Sequence, residues 1–323
     1  MIIARPKLST IVQSANLNRS GLVADCIFPQ VAVGAKHFSY IDFMNAENMA
    51  RIVDDSVTCK SNVKEVGGED LKLVDASLKD HALAQSLGEC NITVCGDEGR
   101  VIAQLEAAKT RNLLNKLLTS REARAIALAT DTTKFGAAVT TAPSASTQID
   151  GAYYTISATN FNDPNYGLRR YFQGFQEYAR YGQFNTMVTD LATLNTMLSH
   201  PQFIGYGLVP TPMASQQTLA SLLGVQKICI ADATYNDGVG DTPAMKRFWP
   251  TGTILFTKSY GMSSTTEETF AFGISAYNRG FQQFTWLDEN KGPEEGVLMQ
   301  KQSHDLTEVV LSYNAALLVK VTP

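Results

Sequence analysis

The short motifs by which many enzymes announce themselves are missing from these 323 residues. There is no phosphate-cradling G-x-x-x-x-G-K-[ST] loop, no G-x-G-x-x-G after a strand and no H-E-x-x-H zinc helix. The hydrolase elbow is absent too, since GISAY (273–277) lacks the second glycine. Histidine is scarce: His37, His81, His200 and His304 have no close partners in sequence. Basic excess is also lacking, with 27 Lys+Arg against 31 Asp+Glu and a net charge of −4. A surface that grips nucleic acid needs concentrated positive charge, and only Arg169–Arg170 and Lys246–Arg247 are tight basic pairs. No apolar run approaches the ~20 residues that span a bilayer. The start, MIIARPKLSTIVQSANLNRSG, has no continuous apolar signal core. The five cysteines, Cys26, Cys59, Cys90, Cys95 and Cys229, are odd in number, and Cys90 and Cys95 fit neither a zinc knuckle nor a redox pair. Free thiols in a cytosol are the expectation.

Single residues add little chemistry. Asp232 closes a strand and is the best catalytic candidate by position, but turn initiation explains it. His200, before Pro201, suits a helix end, where a cation meets the dipole. Asp54–Asp55 reads as a solvated loop pair, and Gly238 and Gly240 as turn residues. No catalytic, cofactor-binding or metal residue is therefore assigned, and no cofactor is expected.

What the chain does contain is core material and a long helix. Hydrophobic residues make up 44% and charged residues 18%, an ordinary globular balance. The length suits two packed regions or one large elaborated domain. Residues 1–36 read as an arm with local turns, and FSYIDF (38–43) as a strand. Residues 38–96 form an excursion too thin in apolar content to fold alone. DEGRVIAQLEAAKTRNLLNKLLTSREARAIALAT (97–130) predicts one helix of roughly 50 Å, capped by Asp97 with Glu98 in its first turn, with a break expected near Thr119–Ser120. Its apolar stripe changes sides between Val101–Leu105–Ala108 and Leu114–Leu128, which implies different partners at its two ends, or burial all round in its second half. Residues 130–151 read as a loop, and Asp163–Pro164 as the start of a helix. The aromatics Tyr153, Tyr154, Tyr166, Tyr171, Phe172 and Phe175, with Tyr178 and Tyr181, read as core or subunit contact. NTMVTD is a strand, DLATLNTMLSH a helix stopped by Pro201, and LASLLGVQKICIADATYN (219–236) a helix, a glycine corner and a strand. Strands follow at 251–258, 268–278, 295–302 and 307–321. The mixture without regular βαβ alternation predicts an α+β class.

Four stretches carry a resemblance in chain order: VADCIFPQVAVGAKHFSYIDF (23–43), DSVTCKSNVKEVGGEDLKLVDASLKDHALAQSL (55–87), NTMVTDLATLNTMLSHPQF (185–203) and LASLLGVQKICIADATYN. Together they resemble the major capsid proteins of tailed bacteriophages, with the Hong Kong 97-like fold. The family's paired Glu-Arg near the end of the spine helix is partly present as Arg121, Glu122 and Arg124, and nothing assigns a Lys–Asn crosslink. The resemblance implies an N-terminal arm (1–37), an extended loop (38–96), a peripheral domain with the spine helix (97–180), an axial domain (181–295) and returning peripheral strands (296–323). It implies a non-enzymatic subunit that assembles with itself, as hexamers and pentamers, into an icosahedral head around double-stranded DNA in a host bacterial cytoplasm. Scaffolding, portal or decoration proteins are the further partners implied, packaged DNA is contacted weakly, and no membrane is involved. The sequence begins directly at the arm, so a separate scaffold or a removed leader is expected. The alternatives are an encapsulin-like nanocompartment shell subunit and a soluble α+β enzyme built on Asp232 or His200.

Overall fold

The computed structural model describes residues 2–4, 21–43, 72–86, 98–204, 212–238, 244–267, 269–288 and 297–322. The expected cap Asp97, the pair Asp54–Asp55, Gly240 and most of the extended loop lie outside them.

The chain opens with β1 (Ile2–Ala4), a short helix α1 (Ala24–Ile27) and β2 (Gln30–Ala32). A hairpin follows, β3 (His37–Asp42) with β4 (Lys72–Ser77), and then β5 (Asp80–Ser86). Helix α2 (Glu98–Ala129) runs 32 residues without interruption, about 48 Å, so the break expected at Thr119–Ser120 is not there. Thr119 folds its hydroxyl back onto the Asn115 carbonyl at 2.7 Å within the helix, and Ser120 is exposed.

The stripe of α2 also departs from expectation. From Thr110 through Leu113, Leu114, Leu117, Arg121 and Ala125 to Ala129 the buried positions recur every three or four residues. Arg111, Lys116, Ser120, Ala123 and Ala127 stay exposed, so this half is not buried all round. Ala108 is exposed, and the side chains of Val101 and Leu105 lie outside the described residues. Arg121 and Glu122 sit inside the stripe, which is why hydropathy alone misplaces it.

Beyond α2 come β6 (Ala138–Val139), β7 (Tyr153–Ser157), α3 (Ala158–Asn162) and α4 (Leu168–Glu177). Asp163 does not open α4; it ends α3, and its carboxylate accepts the Asn165 amide at 2.9 Å in a local turn. Next are β8 (Thr186–Thr189) and α5 (Leu191–Ser199), the latter capped by Asp190, which accepts the Thr193 amide. Pro201 stops α5 but begins α6 (Pro201–Ile204), as proline can at a first helical position. Helix α7 (Pro212–Leu223) ends at Gly224, whose φ of +70° favours glycine. The Val225 amide reaches back to Ala220 and the Gly224 amide to Ser221, closing the corner before β9 (Lys227–Ile230).

The chain continues through β10 (Thr234–Asn236), β11 (Met245–Arg247), β12 (Thr253–Thr257), β13 (Gly273–Tyr277) and β14 (Gln282–Asp288). A strand of 14 residues, β15 (Val297–Val310), carries through the polar stretch expected to break it, and the break comes instead at Leu311–Ala315, before β16 (Ala316–Thr322).

Two six-stranded sheets organise these elements. In the first, β15 is the axis: β14 and β5 flank its first half, β13 pairs its second half, and β1 and β2 extend the edges. The second has the order β6-β7-β16-β12-β8-β9. Residues 296–323 thus divide between sheets, β15 in one and β16 in the middle of the other. Both faces of the second sheet are covered, so β8 and β12 are apolar or threonine throughout. One face, through Met187, Ile254, Phe256 and Leu317, meets α4, α5 and α7. The other, through Val188, Cys229, Leu255 and Leu318, meets α1 and the end of α2. The class is mixed α/β, in line with the α+β expectation.

Candidate functional site

The second half of α2 fastens three otherwise separate parts of the chain. Glu122, almost fully buried, accepts the Val23 and Ala24 amides at 2.7 and 3.0 Å, so a residue about 100 positions downstream caps α1. Burial pushes the Glu122 carboxyl up, and those two amides pull it back down. Arg121 donates to Asp25 at 2.7 Å and to Ser275 of β13 at 3.2 Å. Arg124 meets Glu308 of β15 with two nitrogens at 3.2 and 3.3 Å, the planar fork that suits a carboxylate. Thr307, next to Glu308, accepts the Lys79 amide and donates to the Ser77 carbonyl, which clips the root of the β3–β4 hairpin to β15. Helices α1 and α2, the root of the β3–β4 hairpin and the strands β13 and β15 meet at this one place. The family cue Arg121–Glu122–Arg124 is therefore brought together, with partners that sequence reading missed. Asp25, Ser275 and Glu308 are 96, 154 and 184 residues from their arginines, and no local spacing betrays them.

Beside this junction His81 and His304 face each other across β5 and β15, ring centres 5.4 Å apart. Both ring nitrogens of His304 and Nε2 of His81 are buried without a hydrogen-bond partner among the described residues. Burial first, then His81, Arg124 and Arg121, push the His304 imidazole down to about 3. His81 is lowered by burial and by Arg124. A second buried pair, Lys258 and Asp150 at 3.3 Å, lies among Tyr181, Phe184 and Phe270. Burial lowers the Lys258 ammonium, and Asp150 counters part of that.

The expected catalytic candidates are engaged elsewhere. Asp232 pairs with Arg247 at 3.4 Å on the surface. His200 bridges two backbone groups, donating from Nε2 to the Asp163 carbonyl at 3.0 Å and accepting the Gln202 amide at Nδ1. Gly238 donates to Asn236 within a turn. Tyr154, Tyr171, Phe172 and Phe175 stack edge to face inside the first core, and burial pushes the Tyr154 hydroxyl up to about 12. Among the described residues no group of three or more His, Cys, Asp or Glu could hold a metal, and no helix is long and apolar enough to cross a membrane. These contacts hold elements in place; none presents a nucleophile to a base.

At two of the five cysteines the structure departs from the expected free thiols. Cys26 of α1 and Cys229 of β9 form a disulfide, their Cα atoms 6.7 Å apart, because packing brings together positions 203 residues distant in sequence. Cys59, Cys90 and Cys95 lie outside the described residues.

No family model and no curated protein matches the sequence. Solved structures do match. A phage-related protein from Bordetella bronchiseptica RB50 superposes with a TM-score of 0.67 over 99% of this chain and 98% of its own, at 15% identity. A chain assigned as a prophage capsid protein of Escherichia coli CFT073 gives 0.58 over the full length of both, at 12% identity. The capsid of a native GTA particle gives 0.55 over 95% of this chain and 92% of its own, at 15% identity. The chain shares its fold with these three structures from end to end.

Proposed function

We propose that the chain is a non-enzymatic shell subunit, a major capsid protein of Hong Kong 97-like architecture. Copies assemble as hexamers and pentamers into an icosahedral head around the double-stranded DNA of a tailed phage. The observation that carries this reading is the end-to-end superposition on a subunit of an assembled capsid, with no large part of either chain left over. The junction at Glu122 and Glu308 supports it, because it fixes the angles at which an arm and a hairpin leave the body. Leu73 on β4, 64% exposed, is the kind of apolar group that a neighbouring copy covers. A repeated head-to-tail contact that bends slightly closes into rings and shells.

The arm (1–37), extended loop (38–96), peripheral part (97–180), axial part (181–295) and returning segment (296–323) belong to the same proposal, with β6, β7 and β16 joining β8, β9 and β12 of the axial part in the second sheet. In this reading the head is built in the host cytoplasm, with scaffold, portal or decoration proteins as further partners, and DNA is held without a basic clamp. Negative-stain microscopy of the protein purified from an expressing host tests it. Uniform closed shells protecting nuclease-resistant DNA when made in a phage infection are expected. Shells that always enclose protein cargo and never DNA would support the nanocompartment reading instead, and a monomer at every concentration would refute both.

A further inference from the structure

The Cys26–Cys229 pair ties the root of the arm to the edge strand of the second sheet. Cys229 is buried beside Val188 and Ala231, on the face of β9 that α1 covers. Cys26 is only partly covered. Just upstream, Gly21 lies so close to the Asp232–Ala233 connection that follows β9 that an added Cβ would fall 2.9 Å from the Ala233 nitrogen, so the chain passes close by the exit of that strand before reaching Cys26. No other covalent link joins α1 to the sheet among the described residues; Glu122 and the apolar contacts hold it otherwise. We infer that Cys26 and Cys229 are a redox-operated bolt, open as two thiols while the subunit is in a reducing compartment and closed as a disulfide after release to an oxidising one.

The accessible Cys26 takes the first step. Its thiolate attacks a low-molecular-weight disulfide, forms a mixed disulfide and expels one small thiol. Cys229 then attacks the Cys26 sulfur and expels the second small thiol. Two protein thiols lose two electrons and two protons, and the small disulfide is reduced to two thiols. Once closed, the bond is shielded on the Cys229 side, and it closes a loop of 203 residues in the unfolded chain. Only the timing, reduced at assembly and oxidised after lysis, rests on the shell reading.

Alkylation with N-ethylmaleimide followed by peptide mapping tests the bolt. With the reagent added in denaturant at every stage, so that burial does not protect Cys229, both residues are expected to be alkylated in expressing cells lysed directly into it. After purification and exposure to oxidised glutathione neither is alkylated, and a Cys26–Cys229 linked peptide appears. The thermal unfolding midpoint then rises by about 5–10 °C, and dithiothreitol or Cys26→Ser abolishes the rise. Cys229→Ala and reduced wild-type protein serve as comparisons if Cys26→Ser folds poorly. Linkage already complete inside cells, both thiols still reactive after oxidation, or an equal midpoint rise in Cys26→Ser would each overturn the inference. Because mapping works on free subunits, failure to find shells would count against the proposed function without touching this result.

Discussion

At the scale of residues, the chain depends on a few buried charges whose partners are distant in sequence. Glu122→Ala leaves the Val23 and Ala24 amides unpaired inside the junction, and a loss of about 2–4 kcal/mol in unfolding free energy is expected from urea titration. Glu122→Gln, which keeps an acceptor oxygen, should lose less. His304 makes stability depend on pH. Its folded pKa lies far below the ~6.5 of an unfolded histidine, so as pH falls through that value the unfolded chain takes up a proton that the native one refuses. Stability at neutral pH is therefore lost on acidification, by up to about 1.4 kcal/mol per pH unit, with His81 acting in the same direction. Glu122, raised in the fold, has the opposite slope in the carboxylate range, so the comparison is cleanest between pH 7 and 5. Unfolding free energies measured across that window should slope less in His304→Gln, and an unchanged slope would contradict this assignment.

At the scale of elements, α2 is the part on which the rest is hung. Ala123 is exposed on it, so Ala123→Pro tests the backbone and not packing. A loss of about 3 kcal/mol or more is expected by chemical denaturation, with Ala123→Gly costing about 1 kcal/mol. Elements were legible in the sequence where local chemistry decides them: the extent of α2, the Gly224 corner, the helix stopped by Pro201 and the threonine- and apolar-rich β8 and β12 all carry their own signals. The misreadings came where tertiary pairing decides. The polar run Gln300–Ser303 stays extended because β5 and β14 flank it on both sides, with β5 carrying the pairing on through His304 and Asp305, and no alternation in the sequence could say so. Strand β14 went unread for the same reason. The disulfide was invisible because 203 residues separate its cysteines. Of the junction, only the half written on one helix, Arg121–Glu122–Arg124, could be seen.

At the scale of the whole molecule, the arm is less detached than its sequence suggests. Its first residues pair with β14 of the same chain, Ile3 opposite Thr285, so part of its burial comes from its own body. The hairpin is the better candidate for a contact between copies. Its strands are in register up to Asp42 and Lys72, which puts the two ends of residues 44–71 side by side. Replacing 44–71 with an Asn–Gly turn should therefore give a subunit with an unchanged circular dichroism spectrum that no longer forms shells; normal particles from this variant would argue against a role for the loop between subunits. The central claim is that the chain exists to pack against copies of itself. Sedimentation velocity of the purified wild-type protein over a range of concentrations tests it most directly. The account predicts a single fast boundary of megadalton particles, whereas one slow species near the 35.2 kDa mass of the chain at every concentration would contradict it.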